Sequence, residues 1–325
     1  MPSKLNSLVY KTFSKAGGDR FFWNLDSKRL RILAYHGLCE DRLAEEPWVP
    51  PYFVTQSAFE RHLQYLQRNA VVLPLSEAVL RLQNGCLPRN CVSITFDDGY
   101  ANNLYQASPL LQRYKMSASI FLSSAYVESG DLLPFLRLNL IKLKAKETVG
   151  YLDEPLLEYK ANPVDRVLLS AEAWWNRLKI RLSEDQRRTL RSVTVREIRE
   201  ASTQVIEFGA HTHTHCILKN ETAERRGEEI RTSISKVSEW TGSAVRLFSY
   251  PNGESGDFDE TDKEMLRAAG IQAAVTTIAG ANSRTSDLLA LKRYPVTLSH
   301  SDAGFRAEVS GFRAALLAAR GLLPS

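Results

Sequence analysis

The sequence predicts an α/β protein built on a parallel sheet or closed barrel and interrupted by one mostly helical insertion. Three features carry this expectation. Short, nearly continuous apolar runs recur along the chain, amphipathic helical patterns lie between several of them, and the alternation breaks between about residues 131 and 193. Strands covered on both faces read as unbroken apolar runs, and strand–helix alternation is the mark of right-handed crossovers in a parallel sheet.

In chain order, the expected strands are "LRILAY" (30–35), "CVSITF" (91–96), "SASIFL" (117–122), "QVIEF" (204–208), "VRLFSY" (245–250) and "QAAVTT" (272–277). Ser57 and Glu60 have capping-box spacing ahead of Phe59, Leu63 and Leu66, which predicts a helix start there. Ile230, Ile234, Val237 and Trp240 define a second helix, closed by Gly242. The stretch 131–193 is rich in Arg and Lys and holds Trp174-Trp175. Paired tryptophans can stack on sugar rings, but anchoring an inserted helix to the core is their more ordinary use. The expected organisation is a basic amphipathic segment (1–29), a barrel with its insertion (30–300) and a helical C-terminal tail (301–325).

The chain has 325 residues, 44% hydrophobic and 24% charged, which is globular composition and excludes a disordered or fibrous chain. Residues 1–31 hold seven basic and two acidic side chains, a surplus equal to the whole net charge of +5. The remainder is balanced, so no broad nucleic-acid-binding face is expected. Leu5, Leu8, Val9, Phe13 and Ala16 share one helical face within residues 1–16, and Lys4, Lys11 and Lys15 share another. Such a helix could lie on an anionic membrane surface, although packing on its own domain is the commoner arrangement. Four cysteines without CxxC spacing read as free thiols. With neither a secretory-type apolar run nor an 18-residue apolar stretch, the expected location is the cytoplasm, at most the inner face of the membrane.

Two motifs carry chemistry. "SITFDDGY" sets Asp97 and Asp98 directly after a strand, at the end where parallel α/β folds bind ligands. Adjacent acids repel, so a strand seldom ends in them without a purpose; a helix N-cap is the ordinary use of such an Asp, and two Asp followed by Gly can serve both. "HTHTH" follows another strand at the same end. If extended, it aligns His211, His213 and His215; if helical, it pairs His211 with His215. Either way, an Asp and two His from separate loops can meet around one ion.

With both motifs in view, the chain resembles the polysaccharide deacetylase family, also known as the NodB-homology or carbohydrate esterase family 4 group. Thr95-Phe96-Asp97-Asp98-Gly99 is similar to its first motif and His211 to His215 to its second. "ISKVSEWTGSAVRLFSYPNG", ending Tyr250-Pro251-Asn252-Gly253, is similar to its third motif region. "AAGIQAAVTTIAGAN…LKRYPV", "LAYHGL", "FERHLQYL" and "ASIFLSS" resemble segments of bacterial surface-polysaccharide members, so the likeness spans roughly residues 30–298. It implies an irregular (β/α) barrel of the NodB type.

The resemblance also implies a division of roles. Asp98, His211 and His215 would hold a divalent metal, with Zn2+ preferred and Co2+, Ni2+ or Fe2+ also suited to the donor set. His213 falls at a variable position. Asp97 would be the general base toward a water acidified by the cation, and Tyr250 and Asn252 would line the substrate or oxyanion position. His36, in "ILAYHGL", would be the general acid, with His300 in "VTLSHSD" as its rival. The family's third motif carries an Arg where this chain has Ser249, and Arg293 would supply that charge from a neighbouring strand. No counterpart of the family's Asp/Trp fourth motif is found. The implied activity is removal of an N-acetyl group from an amino sugar of a surface polysaccharide, its lipid-linked precursor or a nucleotide-linked sugar. Deformylation or small-amide hydrolysis on the same scaffold, and a non-catalytic carbohydrate-binding protein, are the alternatives.

Overall fold

The computed structural model describes residues 10, 12, 18–25, 27–148, 156–201 and 203–319. The basic amphipathic pattern expected within 1–16 falls almost wholly outside them. Among the described residues, no helix is long and apolar enough to cross a membrane.

Seven parallel strands close into a barrel: β1 (Arg31–Tyr35), β5 (Cys91–Phe96), β6 (Ala118–Leu122), β7 (Ile206–Ala210), β8 (Leu247–Ser249), β9 (Ala273–Ala279) and β10 (Leu291–Pro295). Closure is made by β1, which pairs with β10 on one side and with β5 on the other. The short β4 (Val71–Val72) lies outside the ring against β5, and β2 (Leu38–Cys39) pairs with β3 (Val54–Thr55) after the first barrel strand.

All six expected strands are present. The seventh, β10, was legible only as part of a resemblance, because "LKRYP" is broken by two cations, one of which is fully buried. The helix start expected at Ser57 is a correction. Helix Gln56–Asn69 is capped two residues earlier by Thr55, whose side chain accepts from the Ala58 amide, while Ser57 bonds Asp41 and Glu60 bonds Arg113. Helix Ala223–Thr241 ends on Gly242 at φ +66°, a left-handed cap that glycine adopts without strain.

Strand alternation sorts the core into two faces. Leu33, Tyr35, Ile94, Phe96, Ile120, Leu122 and Phe248 point outward and pack under the surrounding helices. Ile32, Cys91, Phe121, Leu247, Val275 and Leu291 form a second buried cluster with helix Leu75–Gln83. On that second face the residue types change along the strands, from these apolar side chains to Ser93, Thr95, Ser249 and Arg293, all fully buried. The apolar end gives way to polarity toward the strand C-termini. Gly209 on β7 is required by this packing, since a Cβ there would stand 2.5 Å from the Phe121 ring and 2.8 Å from the Leu247 carbonyl.

Between β6 and β7 lie helices Pro134–Thr148, Val164–Arg177 and Glu184–Leu190. Trp174 is buried there among Leu138, Ile141, Val167 and Ala171, and Trp175 packs beneath Arg137. Both rings serve as anchors rather than as an open platform. All four cysteines are free thiols, with only Cys86 exposed.

Candidate active site

Every motif residue sits at the C-terminal end of a barrel strand. His36 follows β1, Asp97 and Asp98 follow β5, His211 follows β7, and Tyr250 follows β8. The two aspartates are equally buried at 2% exposure, yet their surroundings differ completely.

Asp97 faces a guanidinium. Arg293 donates from Nη1 to Oδ1 at 2.8 Å and from Nη2 to Oδ2 at 2.6 Å, a bidentate pair. The same side chain donates to the Thr276 carbonyl (2.7 Å), Thr95 Oγ1 (3.1 Å) and Ser249 Oγ (3.2 Å), so its donors are well used. Arg293 stands on β10, two strands from β8, and reaches across the barrel mouth. The small Ser249 is one of its acceptors. Burial alone would raise the Asp97 pKa, but the Arg293 charge and hydrogen bonds outweigh it and hold the carboxyl below its ordinary value.

Asp98 faces imidazoles. Its Oδ1 lies 3.0 Å from His215 Nε2 and 3.4 Å from His211 Nε2, and one ligand atom from each of the three residues falls within 4.8 Å of the others. Burial lowers the His215 pKa, which keeps that ring neutral.

The ring tautomers follow from the outer partners. His211 Nδ1 lies 2.7 Å from the Ser249 carbonyl, which can only accept, so Nδ1 carries the proton. His215 Nδ1 lies 2.6 Å from the Tyr159 hydroxyl, which donates its own proton to the His215 carbonyl. Protonating His215 Nδ1 therefore satisfies all three atoms. Both Nε2 atoms then present lone pairs to a carboxylate, and Asp98 Oδ2 is buried with no partner among the described residues. Lone pairs converging in a buried place repel unless a cation sits among them. The donor set, two imidazoles and one carboxylate, fits a divalent metal.

The "HTHTH" segment is neither of the two regular forms considered above. It is a loop with Thr212 at φ +55° and His215 at φ +57°. Of the seven non-glycine residues with positive φ among those described, four (Asp98, Thr212, His215, Asn252) lie in the loops of this site. Such conformations cost about 1–3 kcal/mol each and persist only where surrounding contacts enforce them. Here Glu229 accepts from the Thr214 amide (2.7 Å) and hydroxyl (2.8 Å), and Ser123 donates to the His211 carbonyl at 2.8 Å. His213 turns away from the cluster, with Nδ1 2.8 Å from Ser124 Oγ.

His36 is half-buried at the mouth, its ring 4.8 Å from that of Tyr52, and its Nδ1 has no partner among the described residues. Asn103 holds its carbonyl at 2.7 Å from a π-type turn, Asn103–Ala107, that follows the aspartates. His300 is placed elsewhere. Its Nδ1 accepts from the Thr297 amide at 3.1 Å, and its Nε2 lies 3.3 Å from Arg313 and 3.8 Å from Glu308.

Tyr250 donates its amide to the Val275 carbonyl and its hydroxyl to the Leu289 carbonyl, while its ring stacks on Phe258, so both its donors are committed to structure. Asn252, at φ +60°, donates from Nδ2 to Asp257 and accepts at its carbonyl from Thr277. No acceptor among the described residues takes up its main-chain N–H. Sequence reasoning missed Tyr159 and Glu229. The first lies in the insertion, where no motif points to it, and the second reads as one more acid on a polar helix.

Residues 84–274, more than half of the chain, match the polysaccharide deacetylase family. YxkH of Bacillus subtilis (strain 168), named for the same family, is 24% identical over 287 residues, which cover 88% of this chain and 77% of that protein. Among solved structures, the fold is similar to Streptococcus pyogenes deacetylase PplD in complex with acetate, with a TM-score of 0.62 and 17% identity over 87% of this chain and 99% of that one. It is also similar to a de-N-acetylase from Aggregatibacter actinomycetemcomitans, with a TM-score of 0.60 and 18% identity over 86% and 98%. The barrel, the paired aspartates and the two converging histidines thus coincide with a match across more than half of the chain, and the chain belongs to the polysaccharide deacetylase family.

Proposed function

We propose that the protein is a metal-dependent hydrolase that removes an N-acetyl group from an amino sugar of a polysaccharide or of its lipid- or nucleotide-linked precursor. One observation carries the reading: two adjacent buried carboxylates have different neighbours, Asp97 a guanidinium and Asp98 two imidazoles. Asp98, His211 and His215 would hold the cation. When bound, a divalent cation acidifies a water and polarises the scissile carbonyl. Its identity is open among Zn2+, Co2+, Ni2+ and Fe2+, with Zn2+ the first candidate for this donor set.

Asp97 is the proposed base. Its carboxylate, kept ionised and oriented by Arg293, accepts the proton of the attacking water. Arg293 acts through Asp97 and is a positioning residue. The free main-chain N–H of Asn252 is suited to receive the developing negative charge on the acyl oxygen. Tyr250, its donors engaged, supports the loop. His36 donates the proton that the departing amine needs; its unpartnered Nδ1 and its position at the mouth favour it over His300. An acetyl substrate is supported by the acetate present with PplD and by the name of the Aggregatibacter neighbour.

The test is Asp97→Asn, assayed for released acetate and formate on N-acylated glucosamine oligomers. Turnover should fall roughly 10²–10⁴-fold while one metal ion per chain is retained. Retained turnover would remove Asp97 as the base, and formate as the product would change the acyl group. Glycan binding without turnover in the unmutated protein would support the non-catalytic alternative.

A further inference from the structure

We infer that Tyr159 is a positioning residue for the metal centre: its hydroxyl fixes the tautomer and the orientation of His215, so the inserted segment controls how tightly the site holds a cation. The inference rests on the proposal that Asp98, His211 and His215 bind the ion.

The two histidines are prepared by different means. His211 has its Nδ1–H taken by a main-chain carbonyl on β8 at 2.7 Å, a partner that no side-chain change can remove. His215 has its Nδ1–H taken by a side chain, the Tyr159 hydroxyl at 2.6 Å. A phenol has one proton, and Tyr159 gives it to the His215 carbonyl, so its oxygen is left to accept from the ring. The same hydroxyl therefore ties both the imidazole and the main chain of His215, a residue whose φ of +57° needs an outside contact to hold it.

Tyr159 is itself held firmly. It opens the short turn Tyr159–Ala161, and that turn is clamped between two loops of the barrel mouth. Asn220 donates to the Lys160 carbonyl at 3.1 Å, Glu221 accepts from the Val164 amide at 2.7 Å, and Lys160 pairs with Glu254 at 2.9 Å. Phe135, from the preceding helix of the insertion, packs on the His215 ring with centroids 5.0 Å apart. Without the hydroxyl, a buried Nδ1–H loses its acceptor. The ring is then free to carry its proton on Nε2, where it cannot bind a cation.

The experiment compares the unmutated protein, Tyr159→Phe and Lys160→Ala, each stripped of metal with a chelator. Dissociation constants for Zn2+ and Co2+ are read by competition with a chromogenic chelator, and melting temperatures are taken with and without metal. Tyr159→Phe should weaken binding roughly 10–100-fold, as loss of a ligand's outer hydrogen-bond partner does elsewhere. Lys160→Ala, which loosens the same turn through an exposed ion pair, should leave the constants unchanged. Equal binding by Tyr159→Phe overturns the assignment. So does a loss in Lys160→Ala as large as in Tyr159→Phe, or a melting temperature that Tyr159→Phe lowers equally with and without metal, since each reports packing alone. If the unmutated protein binds no ion, the metal site fails with it, a result distinct from all of these.

Discussion

The strand side and the loop side of the site hold their groups differently. Asp97 is held by Arg293 on β10, and Arg293 in turn is fixed by barrel strands, bonding Thr95 on β5, Ser249 on β8 and Thr276 on β9. Around His215, contacts come from Tyr159 and Phe135 in the insertion, and neighbouring Thr214 is held by Glu229 on a helix. A closed barrel fixes its strand ends relative to one another, so the strand side is geometrically rigid. The loop side depends on a few side chains, Tyr159 and Glu229 above all, from elements whose lengths can change without disturbing the sheet. The part proposed to handle protons is thus built into the barrel, and the part proposed to hold the ion is partly lent by an insertion.

The largest effect should come from breaking the strand side. Arg293→Met would leave Asp97 buried without its partner, and removing one member of a buried pair typically costs about 3–5 kcal/mol. Calorimetric melting of the metal-free protein checks this. A loss no greater than that of an exposed substitution would mean that the pair is not fixed by the barrel as described.

A smaller effect is expected away from both sides, at His62. Its ring is 1% exposed and stacks on Phe305 with centroids 3.8 Å apart. Burial first, then the His300 and Arg61 charges, bring its pKa from 6.5 to about 3. The unfolded chain takes up this proton near pH 6.5, and the folded one resists until about pH 3. The stability contributed by neutral His62 is therefore complete above pH 6.5 and declines as pH falls through that window. His62→Gln should accordingly lose less melting temperature than the unmutated protein between pH 7 and about 4.5. Parallel declines in the two proteins would show that His62 does not resist protonation.

The smallest effect belongs to His213. Its ring bonds Ser124 and not the cluster, so His213→Ala should cost about 1 kcal/mol and leave bound metal unchanged. Metal analysis beside Asp98→Ala checks it. An ion that needs His213 and ignores Asp98 would invert the description of the loop side.

How much of this was legible varied with the physics involved. The strands were, because burial on both faces leaves an apolar run that few other structures produce. β10 was legible only through the family resemblance, because its inward Arg293 is a cation whose burial makes sense only beside Asp97. The start of helix Gln56–Asn69 was misplaced because Ser57 and Thr55 are equally good caps by type, and Asp41 claims Ser57 through a contact across the fold. "HTHTH" fitted two regular conformations and adopts neither, since its positive-φ residues are enforced by Glu229, Ser123 and Tyr159 from other segments.

What the sequence determined by itself is the inventory and its location: two acids after one apolar strand, histidines after another, both at the end of a parallel sheet where strands deliver ligands. Those follow from local periodicity and residue type. The family resemblance implied which acid pairs with Arg293 and which with the histidines, but residue type and spacing left that open; the contacts themselves are made only in the tertiary structure, through an arginine 196 residues from Asp97 and a tyrosine 56 residues from His215. Protonation states and tautomers are set by charges and hydrogen-bond partners in space, and spacing along the chain does not encode them.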